Sequence, residues 1–387
     1  MALRERIIPC SDFQEWKHDL ELTGNHVIDS TPEPGRPGFC TLRFEADVDN
    51  PAGPGVGFAA VSFATPVAAL AAALVQGALS ATQARTAQAI INIFETGTVL
   101  GRYGQVTLIE HDAGHLTFGR SQSSLGSGNL GRMIAAYCDH QGARFGARLA
   151  TYLPRMNDRD FSLDNDFKLH NLLRASADDP VMRDTQDRFF DRGFWQPAQS
   201  EAAALGIRTP LGVTTVYDSF VHGSWGPLRD MTIQHNGKVA QLGEKAWISA
   251  YIANRRSWMA GHARPDIRAT VYRMDTLAAL ARHDQWSLQL PLLVRDQEIS
   301  EATLNARPSD CYDGPAPGSR PLAVTSPFER GLDVRLLQLG LSDANLNVKA
   351  DGVFGAASAQ SIKQYQKEHG LAVTGVADVA LIAKLTA

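Results

Sequence analysis

SATQARTAQAIINIFETGTV, residues 80–99, is the stretch that decides how this chain folds. Ser80 and Gln83 stand at the spacing of a capping box, in which the serine oxygen takes a free backbone N–H and the glutamine reaches back. Ala84, Ala87, Ile90, Ile91 and Phe94 then recur at helical spacing. Gly97 suits the left-handed residue that ends a helix. Glu95 is thus predicted in the last turn of an apolar-faced helix. A carboxylate is disfavoured there, because the last carbonyls present partial negative charge. Partial burial would add to that effect. The position therefore favours a carboxyl that keeps its proton, as a general acid must.

Downstream, residues 106–109 and 115–118 read as two strands joined by a turn around Asp112, Ala113 and Gly114. That hairpin brings Glu110 and Asp112, flanked by His111 and His115. Glycoside hydrolysis needs two carboxyls across the scissile bond, one to protonate the leaving oxygen and one to activate water or steady the cationic sugar. By themselves these residues decide little. A glutamate at a helix end is most often a solvated cap, and acids on a hairpin are most often turn chemistry.

From Asn129 to Arg282 the pattern is mostly helical, in Leu130–Tyr137, Pro180–Arg192, Val213–His222 and Lys245–Met259. Residues 288–294 fit one more strand. Toward the N-terminus, residues 67–79 read as a helix or helical linker. This is the longest apolar stretch and is too short to cross a bilayer. Residues 1–66 form a small β-containing region of unknown role, with strands expected at 41–46 and 58–63. Pro308, Pro315, Pro317, Pro321 and Pro327 make 306–327 an extended linker. Residues 328–387 return to helical periodicity. The fold class expected is α+β: a mostly helical catalytic domain over 67–305 with a small β-hairpin, a helical C-terminal module and a small β-containing N-terminal region.

Several classes of function are disfavoured. With 387 residues the chain has room for two or three domains, and a net charge of −4 without Lys/Arg runs argues against a sequence-blind nucleic-acid binder. Cys10, Cys40, Cys138 and Cys311 form no C-x-x-C pair, so reduced thiols are expected, with a Cys10–Cys40 bridge as the alternative. His111 and His115 are four apart, but on a turn and strand rather than a helix, so no metal site is expected. No G-x-S-x-G elbow supports a serine hydrolase. MALRERIIPCSDFQEW has no apolar core of secretory length, so synthesis in the cytoplasm, without membrane insertion, is expected.

The wider string carries a resemblance. Glu95-Thr96-Gly97, Tyr103-Gly104, Asp112, and Thr117 with Gly119 resemble the family 46 glycoside hydrolases, the chitosanases of the lysozyme superfamily, and the related phage and effector muramidases. Thr117 lies five residues after Asp112, as in the chitosanases. The interval from Tyr103 to Asp112 is one residue longer than in that pattern, which leaves Glu110 as the alternative second carboxylate. Gly114 to Gln122, with Ser127 to Leu130, look like the wall-degrading relatives. Tyr217-Asp218-Ser219 with His222-Gly223 resemble a helix of the family. Tyr251 to Trp258, with Arg255 and Arg256, resemble the helix that lends an arginine to a buried ionic network.

The resemblance covers roughly 81–300 and implies a lysozyme-like domain. It implies Glu95 as general acid, Asp112 as the base that activates water, Thr117 as a holder of that water, and inversion at the anomeric carbon. It also implies a supporting network of Asp218 with Arg255 or Arg256, joined by Tyr103, Arg120 and His222, and no cofactor.

Residues 328–387 resemble the three-helix peptidoglycan-binding domain. The signature is Gly331 to Gln338, then Asp351-Gly352-Val353-Phe354-Gly355, Ile362, Tyr365-Gln366, Leu371 and Thr374-Gly375. Val334, Leu337 and Leu341 make one apolar face, Phe354 a plug, and Ile362 and Tyr365 the opposing face. The implied partner is peptidoglycan. The joint expectation is a wall glycan hydrolase, an N-acetylmuramidase. It would reach the periplasm or cell wall by specialised delivery, as a type VI-like interbacterial effector or as a phage endolysin. As an effector its partners would be an immunity protein and a secretion-machine component. The alternatives are a chitosanase, which would need an acidic cleft for cationic glucosamine where acids and bases look balanced, and a non-catalytic wall-binding or structural protein.

Overall fold

The computed structural model describes residues 79–108, 114–120 and 122–386 in full, and the backbone of 2–9, 26–32 and 39–46. Ala2–Pro9 (β1), His26–Pro32 (β2) and Phe39–Ala46 (β3) form an antiparallel sheet in the order β1-β3-β2. The alternation at 41–46 falls within β3. Strands β1 and β2 were not expected, since ALRERIIP and HVIDSTP lack a strict period of two. The strand expected at 58–63 and the helix expected from 67 lie outside the described residues, as does Cys10. The chain divides into two compact units, Met1–Leu79 with Ala203–Ala281 and Ser80–Ala202 with Arg282–Ala387.

In the second unit, α1 (Ala81–Thr96) starts where the sequence predicts. Ser80 Oγ accepts from the Gln83 N–H at 3.1 Å, and the Ser80 N–H donates to Gln83 Oε1 at 3.0 Å. Gly97 ends the helix in the left-handed region at φ 71°, its N–H bonded to the Ile93 carbonyl. Val106–Thr107 (β4) pairs with Thr117–Phe118 (β5), which pairs with Ser123–Ser124 (β6). The third strand was unexpected, because two residues are too few to show a period. Helices α2 (Asn129–Cys138), α3 (Phe167–Ser176) and α4 (Pro180–Phe190) surround the hairpin. Their buried faces make one core with Leu116, Phe118 and Leu125, including Leu130, Met133, Ile134, Leu172 and Met182.

In the first unit, α5 (Pro210–Val221) is buried continuously from Leu211 to Ser219, so it is the central helix of its layer. It begins on Thr209, whose hydroxyl accepts from the Gly212 N–H at 3.2 Å. Around it lie α6 (Glu244–Ala260) and α7 (Tyr272–Arg282). Trp247 and Tyr251 of α6 stack with their ring centres 5.5 Å apart. In the second unit, Leu292–Val294 (β7), inside the predicted 288–294, pairs with Gln297–Ile299 (β8).

The C-terminal module consists of α8 (Leu332–Asp343), α9 (Ala356–Glu368) and α10 (Val379–Thr386). The predicted plug and faces are its core: Val334, Leu337, Leu341, Phe354, Ile362 and Tyr365 are all buried. Gly340 is required because a Cβ there would lie 1.9 Å from the Leu385 carbonyl oxygen of α10.

The module does not swing on a free tether. Leu339 is buried in the core of the catalytic body. Asn171 of α3 donates to the Val348 carbonyl at 2.7 Å and to Ser342 Oγ at 3.1 Å, and accepts from the Ala350 N–H at 2.9 Å. Arg335 of α8 donates to the carbonyls of Arg174 at 2.5 Å and Asp310 at 2.7 Å, and lies 3.3 Å from Asp178. Within the Pro-rich stretch, the Tyr312 N–H donates to Asp178 at 2.7 Å, and Asp310 accepts from the Gly104 N–H at 2.6 Å. A bond to an exposed partner, Arg148 to Asp343 at 2.7 Å, adds little by comparison.

Two outcomes are expected. Replacing Asn171 by Ala leaves buried polar groups of the module without partners, at about 1–3 kcal/mol each. Denaturant unfolding should register a loss of about 2 kcal/mol or more, with faster proteolysis between residues 306 and 327. The second concerns pH. Burial pushes the Asp178 carboxyl up to about 6, against the pull of Arg335 and the Tyr312 N–H. Its ordinary value is about 3.9, so between these limits the folded state holds the extra proton. Stability from this group is therefore full below pH 4 and is lost as pH rises through 6. Unfolding midpoints measured from pH 4 to 7 should carry this fall in the native chain and lack it in Asp178→Asn.

Candidate active site

Glu95 stands in the last turn of α1, followed by Thr96 and the left-handed Gly97. Its side chain is exposed rather than half-buried. Three residues earlier, on the same side of the helix, Asn92 organises the loop that follows. Its Nδ2 donates to the Val99 carbonyl at 3.0 Å, and its Oδ1 accepts from Arg120 at 3.2 Å.

Arg120 joins this helix to the hairpin. It lies just past β5, one residue beyond Gly119, and its side chain is almost fully buried. It forms an ion pair with Asp187 of α4. Its guanidinium carbon lies 5.2 Å from the centre of the Phe190 ring and 5.8 Å from that of Tyr103. Tyr103 donates its hydroxyl to the same Asp187 oxygen at 2.8 Å. Burial is the first cause that pushes the Tyr103 phenol far above its ordinary range, so it serves as a donor and not as an acid. Gln186 completes the joint, accepting from the Arg120 N–H and donating to the Tyr103 carbonyl, both at 3.0 Å.

The foot of the hairpin is held on its other side. Asp164 accepts from the Leu116 N–H at 2.9 Å and meets His115 Nδ1 at 2.8 Å. His115, at a left-handed φ of 55°, stacks on Phe161 with ring centres 3.5 Å apart. Thr117 is buried in β5 and donates to the Thr107 carbonyl across the hairpin at 3.2 Å. With its proton so engaged, the hydroxyl has lone pairs left to offer a water. Glu110, Asp112 and His111 lie outside the described residues.

The other predicted constellation belongs to the unit of residues 203–281. Asp218 is fully buried and paired with Arg255. Arg273, which the sequence did not mark, pairs with it at 2.7 Å. Burial acts to raise the Asp218 carboxyl, but Arg273 and then Arg255 outweigh it and hold the group below the usual carboxylate range. His222 Nδ1 lies 3.3 Å from Arg255. Burial first, then the charges of Arg273 and Arg255, depress this imidazole to about 4, so it is neutral at pH 7. Arg256, offered beside Arg255, is outside the network: it is exposed and pairs with Asp275.

Sequence reading therefore reached Tyr103, Arg120, Asp218, Arg255 and His222, and missed Asn92, Asp164, Gln186, Asp187 and Arg273. Asn92 had a signal, since i and i+3 share a helix face with Glu95. The others come from distant segments with no spacing to betray them. Among the described residues no group of three or more His, Cys, Asp or Glu is placed to hold a metal.

Residues 89–292, more than half of the chain, match the profile of glycosyl hydrolase family 46. The chain belongs to glycosyl hydrolase family 46. It is a glycoside hydrolase, and the resemblance read over 81–300 is borne out. Residues 330–385 match a peptidoglycan binding domain. A chitosanase of Bacillus subtilis (strain 168) is 26% identical over 239 residues, covering 57% of this chain and 84% of that protein. Among solved structures, a Gynuella sunshinyii chitosanase bound to chitotetraose is 24% identical, with a TM-score of 0.49 over 57% of this chain and 98% of that one. A mutant Bacillus subtilis MY002 chitosanase in complex with six GlcN is 25% identical, with a TM-score of 0.48 over 56% of this chain and 96% of that one.

Two substitutions test this geometry. A Cβ on Gly119, at φ 85°, would lie 2.4 Å from Gln186 Oε1. Gly119→Ala should therefore displace the hairpin and lower kcat by about tenfold or more, the scale of a catalytic group misplaced by a fraction of an ångström. Asp218→Asn leaves two buried guanidiniums short of a counter-charge. It should destabilise the protein by about 3–5 kcal/mol, read by thermal unfolding.

Proposed function

We propose that this family 46 hydrolase cuts the glycan strands of bacterial cell wall, as an N-acetylmuramidase. The observation that carries the reading is the C-terminal peptidoglycan-binding domain, docked on the catalytic body through the buried contacts of Asn171 and Arg335. A module held in one pose presents its ligand at a constant offset from the hairpin, so wall binding and cutting act on one strand. In this reading Glu95 protonates the leaving oxygen, and Asp112, or Glu110 in its place, activates a water supported by Thr117. Two carboxyls about 6.5–9.5 Å apart admit that water and invert the anomeric centre. Use as an injected effector or an endolysin belongs to the same proposal, since both need this chemistry at the wall.

A second reading is a chitosanase. It is favoured by the family match and by the Bacillus subtilis chitosanase relative.

Purified protein and its Glu95→Gln variant, incubated with sacculi and separately with chitosan, separate these readings by mass spectrometry of the products. Fragments ending in reducing N-acetylmuramic acid are expected, with a rate about 10²–10⁴-fold lower in the variant, the usual contribution of a general acid. Glucosamine oligomers without muropeptides would move the assignment to chitosanase. No Glu95-dependent product from either polymer would overturn both readings. Asp112→Asn and Glu110→Gln, made separately, identify the second carboxylate by which one abolishes turnover.

A further inference from the structure

A pocket of about 340 Å³ opens where the catalytic body meets the wall-binding module. Leu108, Asp164, His170 and Arg174 of the body line it, together with the exposed Lys349 of the module. In the sequence Leu108 stands two residues before Glu110 and four before Asp112. The pocket's two cations come from the two partners, Arg174 from the body and Lys349 from the docked module.

Its charges are unbalanced. Both oxygens of Asp164 are engaged, one by the Leu116 N–H and one by His115. Burial depresses His170, whose Nε2 faces the Leu163 carbonyl at 3.0 Å. Arg174 is half-buried and donates to Asn171 Oδ1 at 3.0 Å. Among the described residues, no carboxylate forms a salt bridge with Arg174 or Lys349. Burial first and then the neighbouring Arg335 act against the charge on Arg174, and Asp351 offsets them only in part, so a bound anion would add to that support. A guanidinium and an ammonium lining one concave site form a receptor for a carboxylate.

We infer that this pocket is a subsite for the carboxylate-bearing stem peptide of peptidoglycan, assembled jointly by Arg174 of the catalytic body and Lys349 of the docked module. The inference rests on the wall-hydrolase reading. A wall strand carries peptide branches on its muramic acid residues, and their carboxylates are the anions within reach of a strand lying along the hairpin. Chitosan is polycationic and has no such branch, so the same pocket repels it. The subsite thus selects peptide-bearing wall over peptide-free strands.

Two measurements on the full chain test the inference. In the first, the Glu95→Gln protein is titrated calorimetrically with the soluble tetrapeptide L-Ala-D-Glu-diaminopimelate-D-Ala. Adding Lys349→Glu should weaken binding at least tenfold, and Arg174→Gln about fivefold. The exposed Lys367→Glu serves as a control and should leave tetrapeptide affinity as it was. In the second, kcat/KM is compared on intact strands and on strands stripped of peptide by an amidase. The native preference for intact strands should fall at least fivefold in Lys349→Glu, through KM. Tetrapeptide binding that survives Lys349→Glu, or a preference that does not move, would overturn the subsite even if sacculi are cut. Tetrapeptide binding lost in Lys349→Glu, in a protein that cuts no sacculi, would keep the subsite and sink only the muramidase reading.

Discussion

Arg120 is a charge taken almost entirely out of water, and that constraint shapes everything around it. A buried guanidinium is tolerated only when paired and hydrogen-bonded. Asp187 supplies the counter-charge, Asn92 an acceptor, and the rings of Phe190 and Tyr103 the surrounding surface. These partners come from α1, the loop after it and α4, while Arg120 itself lies two residues past the end of β5. Satisfying one cation therefore fixes the helix that carries Glu95 against the strand that carries Thr117. Gly119 follows from the same constraint, because Gln186 occupies the space a side chain would need.

The unit of residues 203–281 uses the same physics with the signs exchanged. There a carboxylate, Asp218, is buried and two guanidiniums converge on it. Such a cluster contributes less to net stability than its short contacts suggest, because the desolvation cost of each ion offsets most of the attraction. What it enforces is geometry: α5, α6 and α7 each supply one member, so their mutual rotation is set. His222 sits beside two cations and stays neutral, which keeps a third positive charge out of the cluster.

Docking of the module repeats the pattern at a larger scale. The apolar part is modest, with Leu339 entering the body's core. The directional part comes from Asn171 and Arg335, whose bonds go largely to backbone carbonyls and N–H groups. Backbone groups have fixed positions, so bonds to them specify one pose where greasy contact alone would permit several.

The sequence by itself determined the local elements and the family. The capping box at Ser80, the stop at Gly97 and the module's core of Val334, Leu337, Phe354 and Ile362 were legible because each depends on residues a few positions apart. Glu95, Tyr103, Arg120, Asp218, Arg255 and His222 were legible as candidates because motif order survives in the chain. Tertiary structure alone decided the partners. Asp187 for Arg120, Arg273 rather than Arg256 for Asp218, and Asn171 and Asp178 for the module are pairings across long sequence separations. The third strand of the hairpin sheet, Ser123–Ser124, was likewise too short to carry a period. Long-range electrostatic pairing leaves no spacing to read, because any charged residue brought near by the packing of apolar faces can fill the role. The physical reason is one of range: propensity and periodicity act along the chain, whereas desolvation acts on whatever the fold brings together.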